Sequence, residues 1–157
     1  MHRAFAVLCL AAVVIATVPA MGSDNKNVAA VEKVLHDQVE AWNRHDLDGF
    51  MAGYWNSPDL TFFSGAKVMK GWQATLDRYH KTYQSEGHEM GKLEFSGLNI
   101  QSLGKNAAFV RGEWHLTMPD GKTPHGVFTL IFRKMPQGWK IVHDHTSAAE
   151  AVPVERQ

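Results

Sequence analysis

Cysteine is all but missing from this chain of 157 residues: its one thiol, Cys9, lies inside an amino-terminal apolar run. A single cysteine forms no intrachain disulfide, so the fold has to rest on an ordinary hydrophobic core. An excess of either charge is missing too, with 16 Lys and Arg against 16 Asp and Glu and no basic stripe. That balance argues against nucleic acid and anionic membrane surfaces as partners. Beyond residues 4–18 no apolar run is long enough to cross a bilayer. There is no internal repeat, low-complexity tract or linker. Nor is there a phosphate loop, a Ser-His-Asp order or a dinucleotide fingerprint, and no cofactor is expected.

What is present begins with a leader. Arg3 supplies a positive start, and residues 4–18 form an apolar run too short to span a bilayer comfortably. Val18-Pro19-Ala20 or Ala20-Met21-Gly22 then offers small residues for cleavage. The reading is a signal peptide over residues 1–22, a single domain over residues 23–157, and an exported protein, periplasmic or secreted, free of the membrane after cleavage. Peptide mass spectrometry should find a mature amino terminus near Met21 or Ser23. The remaining ~135 residues suffice for one compact domain.

Val28, Val31, Leu35, Val39 and Trp42 recur at helical spacing and predict an amphipathic helix over residues 27–45. Asp46 is placed to cap a shorter helix with the stripe Leu47, Phe50, Met51 and Tyr54, which Pro58 prevents from continuing. Residues 60–64 and 67–70 predict a small hairpin around Gly65-Ala66. A third helix follows Gly71, with Trp72, Leu76, Tyr79 and Tyr83 on one side. From Met90 onward the pattern is four strands. Leu93 and Phe95 share a phase that Leu98 and Ile100 break, so Ser96-Gly97 is the expected bulge. Three helices gathered on one side of an antiparallel sheet make an α+β domain. The long strands carry apolar side chains on both faces, with Phe128, Leu130 and Phe132 opposite Val127 and Ile131. One helical layer covers one face, so the other is expected to meet a second copy in a homodimer.

The candidate chemistry lies on two strands. On the closing one, strict alternation puts Trp139, Ile141, His143 and His145 on one face, and Lys140, Val142, Asp144 and Thr146 on the other. An apolar start and a polar end on one face predict a strand that leaves the core and enters a cavity, where His143 and His145 can move a proton near neutral pH. The strand from Ala107 places Phe109, Arg111, Glu113 and His115 together. In a pocket, Arg111 would hold a carboxylate or enolate bidentately, Glu113 would fix Arg111, and Trp42 and Tyr79, with Tyr54 and Trp55, would wall in a flat ligand. The plainer readings are a half-solvated terminal strand, a surface Arg–Glu pair and core aromatics. Two same-face histidines near Glu113 and His115 also admit a metal, but the spacing is permissive and no metal ligand is assigned.

Taken in order, Ala41-Trp42-Asn43-Arg44-His45-Asp46-Leu47-Asp48-Gly49-Phe50, Gly71-Trp72 opening a helix, and the closing strand from Gly138-Trp139 to His145-Thr146-Ser147 resemble the nuclear-transport-factor-like superfamily. Within it they are most similar to SnoaL-like proteins and to the association domain of calcium/calmodulin-dependent kinase II. The resemblance implies a cone-shaped, curved antiparallel sheet packed on three helices, a cystatin-like α+β roll with a cavity at its wide end. It implies Arg111 as a pocket arginine. The related ketosteroid isomerases imply a carboxylate base on the first strand, which Thr61-Phe62-Phe63-Ser64 lacks. The expected function is an exported pocket protein that binds, and in the stronger form transforms, a small acidic or carbonyl-bearing organic molecule by histidine-mediated proton transfer. A non-catalytic homo-oligomerisation module is the alternative, and a metal-dependent enzyme the third reading.

Overall fold

The computed structural model describes residues 21–149, so the expected leader falls almost wholly outside them. The first helix, α1 (Met21–Asn43), begins earlier than its apolar periodicity suggests. Its inward stripe is Val31, Leu35, Gln38 and Trp42, at the i, i+4, i+7, i+11 spacing that keeps one face against a core. The helix stops in a tight reversal. His45 takes a left-handed φ of 62°, its N–H reaches Trp42 O at 2.8 Å, and the next N–H, of Asp46, reaches Ala41 O at 2.9 Å. Those two bonds satisfy carbonyls that the helix end leaves free. Asp46 then caps α2 (Leu47–Met51), accepting from Gly49 N at 2.7 Å.

The hairpin β1 (Thr61–Ser64) and β2 (Lys67–Lys70) and the helix α3 (Trp72–Tyr83) follow, then the four long strands β3 (Lys92–Ser102), β4 (Ala107–Thr117), β5 (His125–Met135) and β6 (Gly138–Ala148). The domain is α+β: a curved, unclosed six-stranded sheet ordered β2-β1-β6-β5-β4-β3, with the three helices on its concave side. The sheet is antiparallel except where β1 runs parallel to β6. The segment after α2 joins that junction. Trp55 N donates to Ile141 O at 2.9 Å and Ile141 N to Gly53 O at 3.0 Å, which sets Tyr54 beside β6.

Two irregularities set the faces. In β3 the register shifts between Ser96 and Asn99, and Gly97 has a φ of 58°, so a bulge sits where the change of phase placed it. In β6 the register also shifts. Phe132 pairs with Ile141 but Ile131 pairs with His143, leaving Val142 as an extra residue. One extra residue reverses the alternation of everything after it. Trp139 and Ile141 face the helices as expected, but from there on the inward positions are Asp144 and Thr146.

Helix α1 is docked by side chains that pair with strand backbone. Asn43 Nδ2 donates to Leu93 O at 3.0 Å while Leu93 N donates to Asn43 Oδ1 at 2.8 Å, and Trp42 Nε1 donates to Gly91 O at 3.1 Å. Trp72 Nε1 holds α3 to α2 through Met51 O at 2.9 Å. The core runs through Val31, Leu35, Met51, Leu60, Val110, Phe132 and Ile141, all essentially without exposure.

Candidate functional site

Between the helices and the concave face lies a cavity of about 290 Å³. One side of it is a nest of aromatic rings. Trp42 meets Phe50 edge-on at 5.2 Å and Tyr83 at 4.8 Å, and Phe50 and Phe62 meet Tyr79 at 5.2 and 5.8 Å. Such edge-to-face contacts fix ring orientation as well as burying area. The opposite wall is strand: Leu93 and Phe95 from β3, Trp114 and Leu116 from β4, Phe128 and Leu130 from β5. Gly112 makes room for that wall, since a Cβ there would come within 2.6 Å of the Phe128 ring.

Set into this apolar surface is one carboxyl group, Asp144, which is 5% exposed. Its Oδ2 accepts a hydrogen bond from the Tyr54 hydroxyl at 2.7 Å. Its Oδ1 is buried and has no partner among the described residues. Burial raises the Asp144 pKa to about 7, although the Tyr54 hydrogen bond and the charge of Arg78 both pull it back. Burial also raises Tyr54 and Tyr79 well above the usual phenol value, and the Asp144 charge adds to this, so both hydroxyls stay protonated. Arg78 enters from α3. It donates from Nη2 to Ser64 Oγ at 3.0 Å and lies 5.2 Å over the Phe62 ring. A carboxyl that changes charge near neutrality, a phenol bonded to it, a nearby cation and apolar walls together suit proton exchange with a small organic molecule.

The residues singled out in the sequence divide between two places. Trp42 and Tyr79 line the cavity. His143, His145, Arg111 and Glu113 do not: they stand on the outer face of the sheet, so the expected single pocket is corrected. The extra residue Val142 turns both histidines outward. His143 lies within 2.6 Å of Thr61 Oγ1 through Nδ1 and meets Phe63 edge-on at 4.9 Å. Its pKa is lowered, first by burial and then by the neighbouring charge of His145. His145 is exposed. Arg111 is also exposed, bonding Asn99 Oδ1 at 3.2 Å with its guanidinium 5.9 Å from the centre of the Phe109 ring. Glu113 does not fix Arg111; its Oε2 lies 3.4 Å from His115 Nε2. The register does place Arg111, Thr129 and His145 in one row across the outer face.

The sequence reading missed Asp144 and Arg78, and took Tyr54 only for an aromatic wall. No local signal marked the carboxyl: Asp144 stands between His143 and His145 and shares its alternation phase with Lys140 and Thr146, so unbroken alternation reads it as solvent-facing. Three side chains able to ligate a metal, His36, Asp37 and Glu40, lie within 4.8 Å of one another on α1. All three are exposed, and Asp37 is already held by Lys33 at 2.7 Å.

Residues 31–151 match the family described as the SnoaL-like domain. Among solved structures, an NTF-2 like protein of unknown function from Shewanella oneidensis MR-1 is 40% identical. The match covers 76% of this chain and 97% of that one, at a TM-score of 0.71. An NTF2-like superfamily protein from Salmonella enterica serovar Typhimurium is 20% identical over 85% of this chain and 98% of its own, at 0.63. A ketosteroid isomerase-like protein from Erwinia carotovora atroseptica is 18% identical over 81% and 99%, also at 0.63; these two likenesses speak to the fold alone. No curated protein matches significantly.

Proposed function

We propose that this chain, which belongs to the SnoaL-like domain family, binds a small, flat organic molecule in the concave cavity and exchanges a proton with it through Asp144. The observation that carries the reading is the buried Asp144 carboxyl, bonded to Tyr54 at one oxygen and unpartnered among the described residues at the other. In its acid form Oδ1 can donate to a ligand oxygen; in its base form it can accept a proton from an adjacent carbon or hydroxyl. Tyr54 holds the carboxyl in one orientation and stabilises its anion. Asp144 thus takes the role first given to His143 and His145.

A panel of small aromatic ketones, phenols and acids tests this by thermal shift. Saturation at about 100 times Kd should stabilise the protein by about 2.7 kcal/mol. The half-buried Thr146 lines the cavity. Thr146→Phe should therefore abolish the shift, and Asp144→Asn should weaken it. Shifts unchanged in both variants place the binding elsewhere and sink the reading.

Homodimerisation is proposed alongside, on a separate observation. Val127, Ile131 and Val68 are 56%, 39% and 66% exposed, and all three occupy outer-face positions of the sheet. An apolar sheet face of this kind suits a second copy of the chain. Export also belongs to the proposal, resting on Arg3 and the apolar run behind it.

A further inference from the structure

Arg78 and Asp144 flank the same piece of cavity wall without pairing. Phe62 is the register partner of Asp144 across the parallel β1–β6 junction, and Ser64 that of Thr146. Arg78 lies over Phe62 and bonds Ser64, so its guanidinium stands beside the carboxyl. Among the described residues no ion pair within 4.0 Å joins the two. The other titratable groups lining the cavity are Tyr54, Tyr79 and Tyr83. Around Asp144, α1 contributes Gln38 and Trp42, β5 contributes Leu130 and β1 contributes Phe62, none of which titrates. His143 and His145 point to the other face. Among the described residues the cavity thus has one cationic side chain, one carboxyl and protonated phenols.

We propose that the ligand is an organic carboxylate, one oxygen held by Arg78 and the other accepting a hydrogen bond from the acid form of Asp144 at Oδ1, so that each ligand enters together with one proton. The assignment rests on the cavity reading above and narrows it to a ligand class. A guanidinium has five donors in a planar fork matched to a carboxylate, and Ser64 occupies one Nη2 donor position. An ionised Asp144 would repel the incoming anion in a site with little water, whereas a protonated one supplies the missing donor. With Asp144 titrating at about 7, the proton is already present in mildly acidic solution and must be taken up from more basic solution.

The test is isothermal titration of the full protein with sodium 2-naphthoate, 2-naphthamide and 2-acetylnaphthalene, from about pH 6 to about pH 9, in buffers of different ionisation enthalpy. Naphthoate should bind at least about tenfold tighter than the amide at the acid end, and lose about tenfold in affinity per pH unit above about 7. At the basic end it should take up one proton per ligand. Arg78→Gln should weaken naphthoate about tenfold or more, and more than it weakens the amide, with an unchanged circular dichroism spectrum reporting that the variant is folded. Arg78→Lys should recover part of the loss, and Asp144→Asn should flatten the pH profile. If the amide or the ketone binds as tightly as naphthoate, or naphthoate binds without proton uptake at high pH, the carboxylate assignment is overturned while the cavity reading stands. If none of the three binds, the cavity reading falls and takes the assignment with it.

Discussion

Replacing Asp144 by Asn should change the pH dependence of folding in a way that can be worked out beforehand. The carboxyl moves from an ordinary 3.8 to about 7 on folding because it is buried. At 1.36 kcal/mol per pH unit, the ionised form is disfavoured in the folded protein by about 4 kcal/mol. The folded-state value lies above the unfolded one, so the penalty is absent below about pH 4. It grows as pH rises towards about 7 and is constant above that. Asparagine removes the titration. Its amide oxygen can still accept from Tyr54, but its NH₂ group then fills the place of the unpartnered Oδ1, at a pH-independent cost of about 1–3 kcal/mol. Asp144→Asn should therefore be less stable than the parent in acid and more stable above neutrality. Urea titrations across the range measure this directly. With a slope of about 2 kcal/mol per molar urea, the difference between the two midpoints should swing by about 2 M. A difference that stays flat from acid to base would refute the burial argument, because nothing else about this substitution titrates.

The dimer proposal predicts that light scattering at micromolar concentration gives twice the chain mass, and that Val127→Asp with Ile131→Asp halves it while leaving the circular dichroism unchanged; a monomeric parent defeats it. Trp139, 5% exposed at the start of β6, should cost about 3–5 kcal/mol when cut to Ala, read as a lowered urea midpoint, and an unmoved midpoint would show that it is not part of the core.

What could be read from the sequence, and what could not, follows from where each signal is local. The Asp46 cap, the stripes of α1 and α3, and the bulge at Ser96-Gly97 all announce themselves within a few residues, the last because glycine marks a break in alternation. The bulge in β6 gives no such mark. Val142 is an ordinary strand residue, and neither glycine nor proline stands near enough to it to suggest an extra position. Missing one residue exchanged Asp144 for His143 and His145, while Trp42 and Tyr79 kept their expected places in the cavity and the fold was unaffected. The Tyr54–Asp144 bond joins residues 90 apart and exists because the chain after α2 runs alongside β6. Arg78 reaches the cavity through its place over Phe62 and beside Ser64 on β1, a tertiary contact with no trace in helical periodicity.

The same bulge explains why a costly group sits where it does. Unbroken alternation from Ile141 would have sent His143 inward and left Asp144 in solvent, where its ionisation carries no penalty. The inserted residue instead carries the carboxyl into the aromatic side of the cavity, at a cost of about 4 kcal/mol near and above neutrality. That is a large part of the 5–15 kcal/mol by which domains of this size are usually stable, about as much as a core Leu→Ala substitution removes. The surrounding fold offsets it incompletely. Tyr54 satisfies one oxygen, and Arg78 lowers the pKa from a distance without closing an ion pair. Had the position served packing alone, an apolar side chain in the place of Asp144 would be the cheaper solution. A half-satisfied carboxyl in the lining of a largely apolar cavity is a defect in a core and an asset in a binding site, since its second oxygen has a hydrogen bond still to make.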